Sequence, residues 1–287
     1  MKKIIFELYK ILVKIFRNFG FQKIRGIIMI HHFINKCFKP NYVEIYGNKI
    51  FLDKKDALGL SIHKIHEPLV TDFIKKEIKE GSIVVDIGAH IGYYTLMFAK
   101  LVGENGKVFS FEPDPENFCL LKKNVEVNNY KNVVLEQKAV SDYIGKAKLY
   151  ISRESSGQNT IYQIDKKQNF IEVEVINLDE YFKSFEKNIH LIKMDIEGAE
   201  YSCILGAKDI IKKNDKLKII TEFRPISLKS FGVEPVNFLK LLAELGFSIF
   251  EFCEEKQAII PVTIKYLLNK YTIAKRNDTN LLCVKNY

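Results

Sequence analysis

From Ile83 to Phe252 the sequence alternates short apolar runs with segments of helical periodicity, and this alternation leaves the chain few ways to fold. The runs 83–87, 107–111, 133–137, 191–194, 217–221 and 247–252 predict strands, with a last short strand at 281–284. Several are apolar throughout, as parallel strands covered on both faces must be. Helical segments are predicted between them at 93–101, after Asp114-Pro115, at 199–212, and at 236–245 with Gly246 as the stop. Repeated βα units of this kind predict a doubly wound α/β sheet. Two further strand-like runs, 146–151 and 171–176, interrupt the alternation and predict a hairpin-like insertion around residues 141–190. Upstream, VEIYGNKIFL predicts a hairpin about Gly47-Asn48. HEPLVTDFIKKEIKEG then predicts a helix with Pro68 in its first turn and a stripe of Val70, Phe73, Ile74 and Ile78. Residues 42–287 read as one domain, without repeats or a dividing linker.

Ligands of such sheets bind beyond the carboxyl ends of the strands, where the strand order switches. The predicted strand ends carry the chemistry. In VVDIGAHIGYYTL, Gly88 and Gly92 let the backbone turn tightly and approach a ligand, with the Asp86 carboxylate beside them. The next strand ends in Glu112, 26 residues after Asp86, where an acid can take both hydroxyls of a ribose. The spacing Gly88-x-x-x-Gly92 departs from G-x-G-x-x-G, so a pyrophosphate cradle, and with it a nicotinamide oxidoreductase, is disfavoured. A nucleoside with a cationic tail and no phosphates fits better, and S-adenosylmethionine is such a ligand. Its ribose would pair with Glu112 and its amino-acid part would lie over Gly88. Two more strands end in acids: Asp195, Glu197 and Glu200 in LIKMDIEGAE, and Glu222 in IITEF. Glu200 is expected to serve the N-terminus of the following helix instead of a ligand.

The stretches DIGAHIGYYTL, FSFEPDPENF, LKKNVEVNN, Ala139-Val140-Ser141-Asp142, IKMDIEGAE and TNLLC resemble FkbM-type methyltransferases, a class I family dependent on S-adenosylmethionine that acts mostly on hydroxyl groups of sugars and natural products. The resemblance covers roughly residues 65–285. It implies a Rossmann-like, seven-stranded sheet whose last strand is antiparallel. It implies cofactor contacts at Asp86, Gly88 and Glu112, joined by Ala89, His90, Gly92 and Pro113 of the same two loops, and an adenine edge near Ser141 and Asp142. The family often has Asn where this chain has His90.

A sugar hydroxyl is a poor nucleophile at neutral pH, so O-methylation needs a base at the acceptor. Asp195 is the first candidate, Glu197 and Glu222 follow, and His90 is the fourth. A carboxylate-held Mg²⁺ that lowers the hydroxyl pKa is the less favoured alternative, and no resident metal site is assigned. His31, His32, His63, His66 and His190 show no ligand spacing. The polar stretch ESSGQNTIY is either a lid over a hydroxylated small-molecule or glycan acceptor or a plain surface hairpin.

The net charge of +9 is local: residues 1–40 carry nine bases against Glu7 alone, and the rest is nearly neutral. Nucleic acid is therefore not an expected partner. Residues 1–41 form a basic amphipathic extension, predicted to be helical over the first 17 residues, that either packs on the body or lies on an anionic membrane surface. The five scattered cysteines, without C-x-x-C, read as reduced thiols of a cytoplasmic protein, peripheral to a membrane if the extension docks there. A membrane-associated scaffold that kept the fold without turnover is the non-enzymatic alternative.

Overall fold

The computed structural model describes Tyr9 and residues 38–152, 155–162 and 168–285. The expected basic helix over residues 1–17, with nearly all of the extension, lies outside the described residues.

The described chain opens with an antiparallel hairpin, β1 (Tyr42–Ile45) and β2 (Asn48–Phe51). Its turn is Tyr46-Gly47, one residue earlier than expected, and both residues take positive φ, 51° and 78°. Asn48 belongs to the strand. It is buried, and its Oδ1 accepts the Tyr130 hydroxyl at 2.6 Å. The helix Pro68–Glu77 follows, with Pro68 at its first position, where no N–H is needed.

Alternation then sets in as expected. Strands β3 (Ile83–Ile87), β4 (Lys107–Phe111) and β5 (Val133–Glu136) are parallel neighbours. The helices Tyr93–Val102 and Pro115–Val127 connect them. Asp114 caps the second helix, accepting the Asn117 amide at 2.9 Å. The predicted insertion forms a separate small sheet of β6 (Ala139–Val140), β7 (Gly145–Tyr150) and β8 (Phe170–Ile176) in the order β6-β8-β7. The chain then returns to the main sheet with β9 (Leu191–Met194), β10 (Lys218–Phe223), β11 (Phe247–Cys253), β12 (Ala258–Pro261) and β13 (Thr279–Lys285).

The large sheet runs β12-β11-β13-β10-β9-β3-β4-β5. Seven of these strands make the expected doubly wound sheet, and β13 is antiparallel to both its neighbours. β12, which the sequence pattern did not suggest, adds an eighth strand by folding back on β11. The strand order switches between β3 and β9, so a crevice must open above their carboxyl ends. Successive side chains point to opposite faces. Val85, Ile87, Ile192 and Ile219 enter one core, while Val84, Leu191 and Ile220 enter the other. Both faces are covered, which is why these strands read as continuous apolar runs.

The single helix expected over 199–212 is instead two, Glu200–Leu205 and Lys208–Lys213. The break falls at Gly206-Ala207, where the insertion crosses. A Cβ on Gly206 would lie 2.2 Å from the Ser141 carbonyl oxygen. The Ser141 backbone passes at the break, and Gly206 is the local sign of it.

The hairpin is held by two asparagines one turn apart on the helix Pro115–Val127 and its end. Asn124 Oδ1 accepts the Phe51 amide at 2.7 Å, and its Nδ2 donates to the Phe51 and Ile91 carbonyls at 3.0 and 2.8 Å. Asn128 repeats the pattern on Lys49, accepting its amide at 2.8 Å and donating to its carbonyl at 2.7 Å. The two amides stand in for a neighbouring strand along β2. Among the described residues, no helix is long and apolar enough to cross a membrane. Replacing Asn124 by Ala should lower stability by about 2–3 kcal/mol, because three backbone groups lose their partner at once. Urea unfolding of the variant measures this, and Asn128→Ala, nearer solvent, should cost less.

Candidate active site

An open cleft lies above β3, β4 and β9, at the switch in strand order. Gly88, His90, Glu112, Pro113 and Asp195 form part of its wall, so the fold brings together five of the residues expected at the site.

Gly88 makes the cleft possible. Its φ is 78°, and a Cβ would stand 2.1 Å from the Asp195 carbonyl oxygen. Only glycine lets the turn after β3 and the end of β9 come this close. Two amides of that turn, Gly88 and Ala89, donate to the Phe111 carbonyl at 2.9 and 3.0 Å, which ties it to the end of β4. His90 takes positive φ, 50°, and its amide donates to Glu112 Oε2 at 2.8 Å. Glu112 Oε1 accepts the Asp114 amide at 2.9 Å. Each Glu112 oxygen thus accepts one backbone amide. Burial pushes this carboxyl up to about 7, against the pull of the two amides.

Ala89 and Gly92 shape the turn without lining the cleft: the Gly92 amide donates to the Ala89 carbonyl at 2.8 Å. Asp86 does not reach the cleft wall either. It is 1% exposed, its Oδ2 accepts the Thr95 hydroxyl at 2.6 Å, and burial raises its pKa. Ser141 and Asp142 also stand outside the wall, which is formed in that region by Lys138, Ala139 and Val140. The Ser141 amide is spent on Ile176, and its hydroxyl donates to Asp142 at 3.1 Å.

The acids of the rim divide into three settings. Asp195 lines the cleft, about a third of its side chain is accessible, and it lies 3.5 Å from Lys193 Nζ. Glu200 is buried, and its Oε1 accepts the Ile196 and Gly198 amides, both at 3.2 Å, in the turn before its helix. Glu197 and Glu222 sit beside the cleft. Glu197 pairs with Arg224 at 2.9 Å, whereas Glu222 Oε2 and Arg224 Nε are buried without partners among the described residues. Burial, reinforced by the Asp195 charge, pushes Glu197 up to about 7 and Glu222 well above the usual carboxylate range.

Lys193 was missed in the sequence. It is 3% exposed, lies in β9 opposite Asp86, and places its ammonium 4.5 Å from the Tyr94 ring centre. Burial opposes its charge, but Asp195, Glu67 and Asp86 outweigh burial and raise its pKa. A lone lysine inside the apolar run LIKM was the available signal. Part of ESSGQNTIY lies at the cleft. Ser156, Asn159 and Thr160 line the cleft, Asn159 Nδ2 donates to Asp114 Oδ2 at 2.9 Å, and Asn117 Nδ2 donates to the Ser156 carbonyl at 3.0 Å. Among the described residues no group of three or more His, Cys, Asp or Glu is placed to hold a metal ion.

Residues 86–249 match the FkbM methyltransferase domain. The chain belongs to that family. The methyltransferase is 25% identical over 175 residues to "Methyltransferase 1" of Beauveria bassiana, across 53% of this chain and 70% of that protein. Among solved structures it is similar to the FkbM methyltransferase of Methylobacillus flagellatus, at 15% identity and a TM-score of 0.42, over 79% of this chain and 52% of that one. It is also similar to the S-adenosylmethionine-dependent O-methyltransferase of Thermotoga maritima, at 15% identity and a TM-score of 0.43, over 88% and 81% of the two chains.

The buried acids set a pH dependence. Glu112, Glu197 and Glu200 each have a folded pKa of about 7 against an ordinary 4.5. Between those values the folded methyltransferase holds protons that the unfolded chain has released, so stability falls as pH rises through this window. Thermal unfolding should show a higher Tm near pH 5.5 than near pH 7.5, and Glu200→Gln should flatten the slope.

Proposed function

We propose that this enzyme transfers a methyl group from S-adenosylmethionine to a hydroxyl of a sugar, glycan or related natural product. The observation that carries the reading is the cleft in which Gly88, Glu112 and Asp195 meet at the strand-order switch. The residues suit the donor. The Glu112 carboxyl at the end of β4 can accept a ribose hydroxyl, and Gly88 and Asp195 line the cleft beside it. When bound, S-adenosylmethionine supplies an electrophilic methyl on a cationic sulfur.

The protein's part is placement and proton removal. An in-line displacement gains most from holding the acceptor oxygen against the methyl, and the segment Ser155–Tyr162 forms the side of the cleft that can do so. Of the four candidate bases, Asp195 is the acid that lines the cleft with an accessible carboxylate. Its carboxylate lies 3.5 Å from the Lys193 ammonium. Glu197 is engaged by Arg224 and His90 Nε2 by Ser156, while Glu222 is buried and does not line the cleft, which leaves Asp195 as the base. The polar lid suits a hydroxylated acceptor better than an apolar one.

Incubation with tritiated S-adenosylmethionine and a panel of cell-envelope glycan extracts should yield alkali-stable methyl ethers. Label on nitrogen or carbon would overturn the assignment. Asp195→Asn should lower kcat by about two to four orders of magnitude, with affinity for S-adenosylhomocysteine within about twofold of wild type if its role is proton removal. Glu112→Ala should weaken S-adenosylhomocysteine binding by about one to two orders of magnitude in calorimetric titration. Wild-type affinity should also rise as pH passes upward through about 7, because ionisation of Glu112 frees the lone pair its proton held.

A further inference from the structure

Asp53 lies in the loop after β2, upstream of the matched domain, yet it reaches the cleft through the lid. Its carboxyl group accepts the Lys55 and Ala57 amides at 3.1–3.3 Å, and Oδ2 also accepts the Ser156 hydroxyl at 2.9 Å. The same Ser156 oxygen is 2.9 Å from His90 Nε2. A serine hydroxyl has one proton, and here it is directed to Asp53. The Ser156 oxygen is therefore left to accept, so Nε2 of His90 must carry a hydrogen. A neutral imidazole has only one N–H, which makes Nδ1 a bare acceptor. Nδ1 is buried and without a partner among the described residues, on a side chain that lines the cleft. Burial depresses the His90 pKa and keeps the ring neutral, against the pull of Asp53, Asp195 and Asp114.

We propose that Asp53 and Ser156 are positioning residues for the cofactor site: they fix His90 as the Nε2–H tautomer, so that Nδ1 accepts a hydrogen from the ammonium group of the donor's amino-acid part. The inference rests on the reading of the cleft as an S-adenosylmethionine site. Without the chain, the ring is free to take the other tautomer, which would turn an N–H toward an N–H. The lid segment thereby recognises the donor indirectly, through a residue it does not itself contain.

The test compares two probes on the full-length protein: S-adenosylhomocysteine, and 5′-methylthioadenosine, which has the same nucleoside but no amino-acid part. In Ser156→Ala the affinity for S-adenosylhomocysteine should fall about tenfold, the scale of one compromised hydrogen bond to a charged group, while that for methylthioadenosine stays unchanged. Asp53→Asn should act in the same direction. Because Asp53 also closes its own loop, the decisive variant is Ser156→Ala, which leaves the Ser156 carbonyl bond to Asn117 in place. Nitrogen-15 NMR of histidine-labelled protein should show His90 as the Nε2–H form in wild type and a tautomer mixture in Ser156→Ala. An equal loss for both probes, an unchanged ratio of the two affinities, or a wild-type ring protonated at Nδ1 would overturn the proposal. If wild type binds neither probe, the cofactor reading itself fails and takes the inference with it; if wild type binds S-adenosylhomocysteine and the ratio does not move, the inference alone fails.

Discussion

The site depends on the contact between the turn after β3 and the end of β9, where the Gly88 backbone lies against the Asp195 carbonyl with no space for a side chain. Parallel neighbours at a switch in strand order diverge toward their helices, and the crevice between them is useful only if their ends stay close. Gly88 keeps them close. Its turn is fastened to β4 through the Phe111 carbonyl and to Glu112 through the His90 amide. Three strand ends are thereby fixed as one wall, and a shift at any of them displaces the others.

Electrostatics sorts the acids that gather on this wall. A buried carboxylate keeps its charge only where a cation or several donors repay the loss of water. Lys193 provides the cation. It sits between Asp86 on the neighbouring strand, Asp195 at the strand end and the Tyr94–Glu67 pair, with Tyr94 donating to Glu67 at 2.6 Å. Its influence reaches Glu67, whose pKa falls although burial opposes this. Glu112, Glu197 and Glu200 lie outside its grasp and are held up near 7. One rim therefore carries an acid beside a lysine and several acids poised to hold protons, a separation of roles that residue types alone do not reveal.

What could be read from the sequence was what depends on neighbours in the chain. The apolar runs gave the strands, Asp114-Pro115 marked a helix start, and the acids at strand ends pointed to the cleft. The seven-stranded sheet and its antiparallel last strand followed from the family resemblance. The signals failed where distant backbone decides. The helix over 199–212 breaks at Gly206, where the Ser141 carbonyl of the insertion passes close to it. Asp86 looked like a ligand group because an acid at a strand end resembles one, but its partner Thr95 lies on the next helix and holds it inside. Asp53 and Ser156 stand 103 residues apart, and no local pattern links them. Lys193 was visible yet passed unnoticed in an apolar run.

The asparagine amides that line β2 carry a further implication. The hairpin of residues 42–51 precedes the matched span, which itself begins at Asp86, inside β3. Through Asn124 the hairpin shares a hydrogen-bonding side chain with Ile91, a residue of the turn that forms the cleft. The cooperative folding unit is therefore wider than the region that defines the family. A recombinant fragment trimmed to that region would sever a central strand and strip the outer cover from the turn, so expression of the catalytic part has to begin upstream of the hairpin.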